Sequence, residues 1–308
     1  MINGYDIIGD VHGHHDQLTV LLRNLGYREQ DGAWRHSGRQ AIFVGDLIDR
    51  GPHQVETVLT VRRMVDAGSA RCILGNHEFN AVAWFTPDPA HPGEYLRPHA
   101  KGDNRKQHEA FLTEVEGQPL HAELVGWFQT LPLWLETDGI RVVHACWHVP
   151  SLQYLANRVS TDCSLPYQLY VDGSNRAHAA FKAIEALCKG LEVPLPDGVT
   201  FRDNAGRVRH EARIRWWAPQ LDTYRQAAIG PPSLTERIPD LAFPEELRPQ
   251  PYVGPPVFFG HYWFSGEPQI LADNIACLDY SVANGGPLVA YRWDGEDRLT
   301  SKRLVQSR

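Results

Sequence analysis

The chain has 308 residues, long enough for two domains at about 150 residues each or for one α/β unit. Its 43% apolar and 22% charged residues are ordinary globular composition, so disorder is not the expectation. A formal charge of −7 denies the whole chain the positive field that nonspecific nucleic-acid binding needs. The five cysteines (Cys72, Cys146, Cys163, Cys188, Cys277) are scattered without a CxxC pair, which excludes a disulfide framework and a thiolate zinc site. The first strand-like run begins almost at the initiator Met, and no run of about 18 apolar residues follows, so a cytoplasmic protein is expected.

In chain order, short β-branched or aromatic runs recur: Asp6-Ile-Ile, Ala41-Ile-Phe-Val, Arg71-Cys-Ile-Leu, Arg141-Val-Val-His and Val257-Phe-Phe, then Ile275-Ala-Cys-Leu and Leu288-Val-Ala-Tyr. Runs that are polar only at their C-terminal ends read as buried strands. Between the early ones, residues 15–25 and 53–66 carry leucine and valine at helical spacing. Strand–helix alternation of this kind predicts an α/β layered fold. We expect one domain over 1–308, with two segments interrupting it. The Pro-rich stretch 86–106 is too long for an ordinary connection. The second, 150–256, contains a helix at 175–189 and a hairpin at 199–217 turning at 203–206, and the two form loops or a cap.

The chemistry gathers at strand ends. Gly9-Asp10-Val11-His12-Gly13 follows the first, Gly45-Asp46-Leu47-Ile48-Asp49-Arg50-Gly51 the second and Gly75-Asn76-His77-Glu78 the third. The fourth ends in His144, and Gly260-His261 follows a fifth. In an α/β fold such ends open into one crevice. Two carboxylates, an amide oxygen and three imidazoles suit manganese first, with iron, zinc and cobalt fitting the same donors. Two dications, two carboxylates and a bridging hydroxide leave about +1 to attract a phosphate, and paired metals roughly 3.5–4 Å apart can hold both oxygens of an in-line displacement. Phosphoester hydrolysis is the implied reaction.

These five motifs resemble those of the calcineurin-like metallophosphoesterases, in particular the phosphoprotein-phosphatase branch. The resemblance spans residues 9–261 and extends to Asp279–Leu288, similar to the family's closing Gly-Gly hairpin. It implies a four-layer αββα sandwich of two mixed sheets. Asp10, His12 and Asp46 would hold one metal and Asp46, Asn76, His144 and His261 the other. It further implies that His77 is the general acid, oriented by Asp49, and that Arg50 grips phosphate. A carboxylate fixes an imidazole's tautomer, and an Arg fork matches phosphate geometry. Position 263 is Trp where many relatives outside that branch have a further His ligand, and His144-Ala-Cys-Trp-His148 replaces the branch's His-Gly-Gly.

Alternation along 207–217 places Arg209, Glu211, Arg213 and Arg215 on one strand face, and Arg215-Trp-Trp-Ala-Pro219 is similar to the region lending the family a second phosphate-binding arginine. Arg215 or Arg213 is the candidate. The symmetrical diadenosine tetraphosphatases commonly have Ala where this chain has Asp49, so an Asp49–His77 dyad favours phosphomonoesters with poor leaving groups, phosphoproteins included. Dinucleoside polyphosphate hydrolysis is the nearest alternative. A non-catalytic nucleotide-binding module and nucleic-acid end processing are the readings of other classes. The expected partner is a phosphorylated small molecule, nucleotide or phosphoprotein, with no membrane.

Overall fold

A computed structural model describes residues 3–137, 139–202, 206, 208–230, 234 and 237–308. The chain opens with β1 (Gly4–Ile8), α1 (His15–Asn24), β2 (Arg28–Gln30), β3 (Ala33–Arg35), β4 (Arg39–Phe43), α2 (Gln54–Asp66), β5 (Ala70–Cys72) and α3 (Asn76–Phe85). Then follow α4 (Gly102–Val115), α5 (Pro119–Phe128), β6 (Trp134–Thr137), β7 (Ile140–Val143), α6 (Val149–Leu155), α7 (Tyr167–Ser174) and α8 (Ala179–Lys189). Short elements come next: β8 (Glu192–Pro194), β9 (Phe201–Arg202), β10 (Val208–Arg209), β11 (Glu211–Ile214), α9 (Tyr224–Ala227) and β12 (Ala228–Ile229). The last strands are β13 (Val257–Phe259), β14 (Ile275–Cys277), β15 (Val289–Trp293) and β16 (Leu304–Gln306).

Two mixed sheets form, in the orders β16-β15-β1-β4-β5 and β14-β13-β7-β6. Strands β1, β4 and β5 run parallel, as do β7, β13 and β14, while β15, β16 and β6 are antiparallel to their neighbours. Alternate side chains explain why the runs are apolar throughout. Ile7, Ile42, Val142, Phe258 and Ala276 meet in a core between the sheets. Their neighbours Ile8, Phe43, Val143, Phe259 and Cys277 face outward into a second core shared with the helices. Strands β1, β4, β7, β13 and β14 are thus largely buried on both faces, and helices share the outer core with them. At 25 cal/mol per Å², fully burying one such side chain is worth roughly 1.5–3 kcal/mol. No described helix is long and apolar enough to cross a membrane.

Three expectations are revised. The interruption at 86–106 ends at residue 101, since α4 begins at Gly102, and its basic residues are partly used internally. His99 stacks between Trp84 and Tyr95, and Arg105 pairs with Glu116. The helix expected at 175–189 starts at Ala179 and is preceded by α7. The strand at 207–217 is broken: β10 pairs with β9, whereas β11 pairs with β8 and β12. Residues 203–205 and 207 of the expected hairpin lie outside the described residues. Segment 150–256 also builds two small cores of its own, around Ile214 with Phe243 and around Ala212 with Leu234.

Candidate metal centre

The residues after β1, β4, β5, β7 and β13 converge. His12, Asp46 and His77 each offer a ligand atom, and the three atoms lie within 4.8 Å of one another; the same holds for Asp46, His144 and His261. Asp46 is therefore common to both groups. Its Oδ2 stands 3.7 Å from His12 Nε2 and 3.8 Å from His77 Nε2, while Oδ1 is 3.3 Å from His144 Nε2. Asn76 Oδ1 lies 3.2 Å from the same His144 nitrogen. Asp10 is in neither group; its Oδ2 accepts the His261 N–H at 2.9 Å and its Oδ1 faces Gly260.

Backbone geometry aims these side chains. His12, Asp46, Asp49, Arg50, His261 and Trp263 all adopt positive φ, a costly conformation for residues with a Cβ that clusters at functional sites. Gly45, at φ +93°, abuts the Gly75 backbone so closely that a Cβ would stand 2.5 Å from its nitrogen. Three of the four imidazoles use Nδ1 to fix the ring: His12 on the Ile48 carbonyl oxygen at 2.9 Å, His144 on that of Val44 at 2.7 Å, His77 on Asp49 Oδ2 at 2.5 Å. The Nε2 atoms are left facing the centre.

Burial, with the neighbouring His77, pushes His12 down to about 4. Burial and then Arg213 hold His261 well below its ordinary value. Burial also opposes charge on His144, but the facing Asp46 outweighs it and raises the imidazole to about 10. Asp46 is held well below the carboxylate range by His144 and His77 despite its burial. Burial and the nearby Asp279 raise Asp10.

Asp10 Oδ1, His12 Nε2 and His261 Nε2 are buried with no hydrogen-bond partner among the described residues. Unpaired buried polar atoms cost about 1–3 kcal/mol each, so native structures rarely leave three together without a ligand. Nitrogen and carboxylate donors in this arrangement fit a borderline or hard divalent cation.

Arg50 is exposed, with its guanidinium 4.4 Å from the Trp263 ring centroid. Arg213 lies near enough to His261 to influence it, whereas Arg215 donates to the Gln226 carbonyl oxygen at 3.1 Å. Trp147 is core, under the Arg141 guanidinium. Trp263 is half-buried beside a cleft of about 590 Å³ lined also by Tyr280, Ser281, Asn284, Gly285 and Arg308.

Four residues that hydrogen-bond to the site carry no role assigned from the sequence. Glu78, though inside a motif, accepts the N–H groups of Asp46, Leu47 and Gly75. Gln54 Oε1 accepts the Asp49 N–H at 2.6 Å. Asp279 accepts the Trp263 and Ser281 N–H groups. His108 of α4 contacts Asp49, and its place on the His108–Phe111–Leu112–Val115 face is the signal that could have found it.

Residues 5–183 match the family model for calcineurin-like phosphoesterase. The chain is 28% identical over 307 residues to the symmetrical bis(5'-nucleosyl)-tetraphosphatase of Cronobacter sakazakii, covering 96% of this chain and 92% of that protein. It is 45% identical over 144 residues to the asymmetrical bis(5'-nucleosyl)-tetraphosphatase PrpE of Bacillus velezensis, 46% of this chain and 55% of that protein. Across four PrpE proteins the matches span 30–56% of the relative's length. Among solved structures, a Saccharomyces cerevisiae protein serine/threonine phosphatase with similarity to human phosphatase PP5 superposes with TM-score 0.51 at 16% identity, over 98% of this chain and 78% of that one, which is a likeness of fold. With more than half its length matched, the chain belongs to the calcineurin-like phosphoesterase family.

Proposed function

We propose that the protein is a metal-dependent phosphoester hydrolase acting on dinucleoside polyphosphates. The observation that carries the hydrolase reading is Asp46, which turns one carboxylate oxygen toward His12 and His77 and the other toward His144. Asp10, His12 and Asp46 would hold one divalent ion, and Asp46, Asn76, His144 and His261 the other, with manganese the first choice. When bound, such a pair supplies Lewis acidity toward phosphoryl oxygens and acidifies water.

The chain's own groups do the rest. Arg50, braced on Trp263, grips phosphate oxygens, and Arg213 is the better placed of the two candidates for a second grip. His77 is held at Nδ1 by Asp49, and its Nε2 faces the centre, where it delivers a proton to the departing oxygen. Proton transfer of this kind is worth typically about 10²–10⁴-fold. The names of the tetraphosphatase relatives and the cleft beside Trp263, roomy enough for a nucleoside, support the dinucleotide substrate.

A second reading, phosphomonoesters including phosphoproteins, is favoured by the 2.5 Å His77–Asp49 contact, because an alkoxide needs a proton more than a phosphate leaving group does. Steady-state assay of the manganese-loaded protein on diadenosine tetraphosphate, p-nitrophenyl phosphate and a phosphoserine peptide tests both. We expect the highest kcat/KM on diadenosine tetraphosphate; preference for the peptide would replace that substrate. Asp46→Asn turning over all three at the wild-type rate would overturn the hydrolase reading itself.

A further inference from the structure

His108 lies outside every motif, yet it is the second partner of Asp49. Its Nδ1 is 2.8 Å from Asp49 Oδ1, while Oδ2 of the same carboxylate is 2.5 Å from His77 Nδ1. Both side chains are about 2% exposed. His108 is the polar exception on an α4 face otherwise made of Phe111, Leu112 and Val115. Its ring packs against Phe111 and Trp84, and its Nε2 has no partner among the described residues. An apolar residue would serve packing there without burying an unpaired nitrogen, and a local rule broken without a packing gain marks a functional position.

Asp49 needs such support. Its φ is +69°, and its backbone N–H is held by Gln54, whose own N–H is accepted by Glu114 of α4 at 2.7 Å. Helix α4 therefore braces the Asp49 turn twice, through Glu114 and Gln54 at the backbone and through His108 at the carboxylate. A carboxylate whose two oxygens are each hydrogen-bonded to a different imidazole cannot rotate without breaking one of those bonds.

We propose that His108 is a positioning residue that locks the Asp49 carboxylate, so that Asp49 in turn holds His77 with Nε2 toward the leaving group. The inference rests on the reading of His77 as proton donor. Its consequence falls on esters whose leaving oxygen requires that proton.

The test uses the full-length metal-loaded protein with two aryl esters, phenyl phosphate with a poor leaving group and p-nitrophenyl phosphate with a good one. His77→Asn reports on the donor itself and should lose about 10²-fold or more in kcat on phenyl phosphate and far less on the nitrophenyl ester. His108→Phe should lose about tenfold more on phenyl phosphate than on p-nitrophenyl phosphate, in kcat and not KM. His108→Asn keeps an N–H donor one bond beyond Cγ, as Nδ1 is, and should recover most of the loss. If His77→Asn discriminates between the esters and His108→Phe loses equally on both, the positioning role is overturned while the donor reading stands. If His77→Asn itself loses equally, both fall. Should His108→Phe fail to fold, His108→Gln, with its donor one bond farther out, must show the same ester dependence, and an equal loss there overturns the inference as well.

Discussion

The backbone N–H of Asp46 donates to Oε2 of Glu78 at 2.9 Å, so the acidic residue of the third motif holds the turn that carries the shared carboxylate. The same side chain takes the Leu47 N–H at 2.8 Å on Oε1 and the Gly75 N–H at 3.1 Å on Oε2. Asp46 returns the contact by accepting the His77 N–H at 3.0 Å. Two loops of the candidate centre are thus fastened together by two carboxylates. Glu78→Ala removes the acceptor of four buried N–H groups, those of Asp46, Leu47, Ile48 and Gly75, and at about 1–3 kcal/mol each the stability loss should reach about 4 kcal/mol or more. Glu78→Gln also destabilises, because its amide N–H₂ opposes backbone donors. Urea unfolding of both variants checks this; an unchanged midpoint for Glu78→Ala would show that the clamp holds nothing.

Loading the centre should release protons. In the metal-free protein His144 is raised to about 10 by Asp46, above its ordinary value, so its proton favours folding at low pH, and that benefit is lost as pH climbs toward 10. A cation needs the neutral imidazole and must displace that proton, so affinity rises with pH. His12, at about 4, is already neutral at pH 8 and contributes none. Calorimetric titration with manganese at pH 8, in two buffers of different ionisation enthalpy, should report at least one proton released per chain. His144→Asn should release one fewer. Zero release by the wild type would mean that His144 enters neutral.

Gly260 tests whether Asp10 belongs to the centre. A Cβ at this position would stand 1.8 Å from Asp10 Oδ1, which has no partner among the described residues, and 2.9 Å from Val44 Cγ2. Gly260→Ala must push away either the Asp10 carboxylate or the His261 backbone bonded to it. Bound manganese, counted by elemental analysis after dialysis, should fall from two toward one. Gly126→Ala, in α5 with open space around it, serves as the control and should retain both ions. Two ions retained by Gly260→Ala would remove Asp10 from the ligand set.

The strand-end motifs were legible because β1, β4, β7 and β13 are buried on both faces, which makes each run apolar up to the residue where it meets the site. His108 was not, since a helix that begins after a Pro-rich stretch hides one polar residue among apolar ones, and its partner lies 59 positions away. Alternation along 207–217 puts Ala212, Ile214 and Trp216 on the apolar face, and all three are buried, but it fails at Trp217, which shares the arginine face in the alternation yet is buried in the aromatic cluster of Phe259 and Tyr262. Of the two candidate arginines, Arg215 is engaged by Gln226, whose carbonyl oxygen accepts from it and whose segment carries no motif.

Trp263 separates the two substrate readings. Its backbone is held at φ +55° by an N–H donated to Asp279 Oδ2 at 2.7 Å, and its ring lies between Arg50 and the cleft that includes Tyr280 and Asn284. An aromatic wall there can stack a nucleobase, an interaction worth about 1–3 kcal/mol, which corresponds to roughly 5- to 150-fold in KM. Trp263→Ala should therefore raise KM for diadenosine tetraphosphate by about tenfold, and Trp263→Phe by much less. On p-nitrophenyl phosphate, which has no base to stack, only the loss of the surface bracing Arg50 remains, so the change in KM should be several times smaller. Equal changes in KM on the two substrates would mean that Trp263 serves Arg50 alone and that the second nucleoside binds elsewhere.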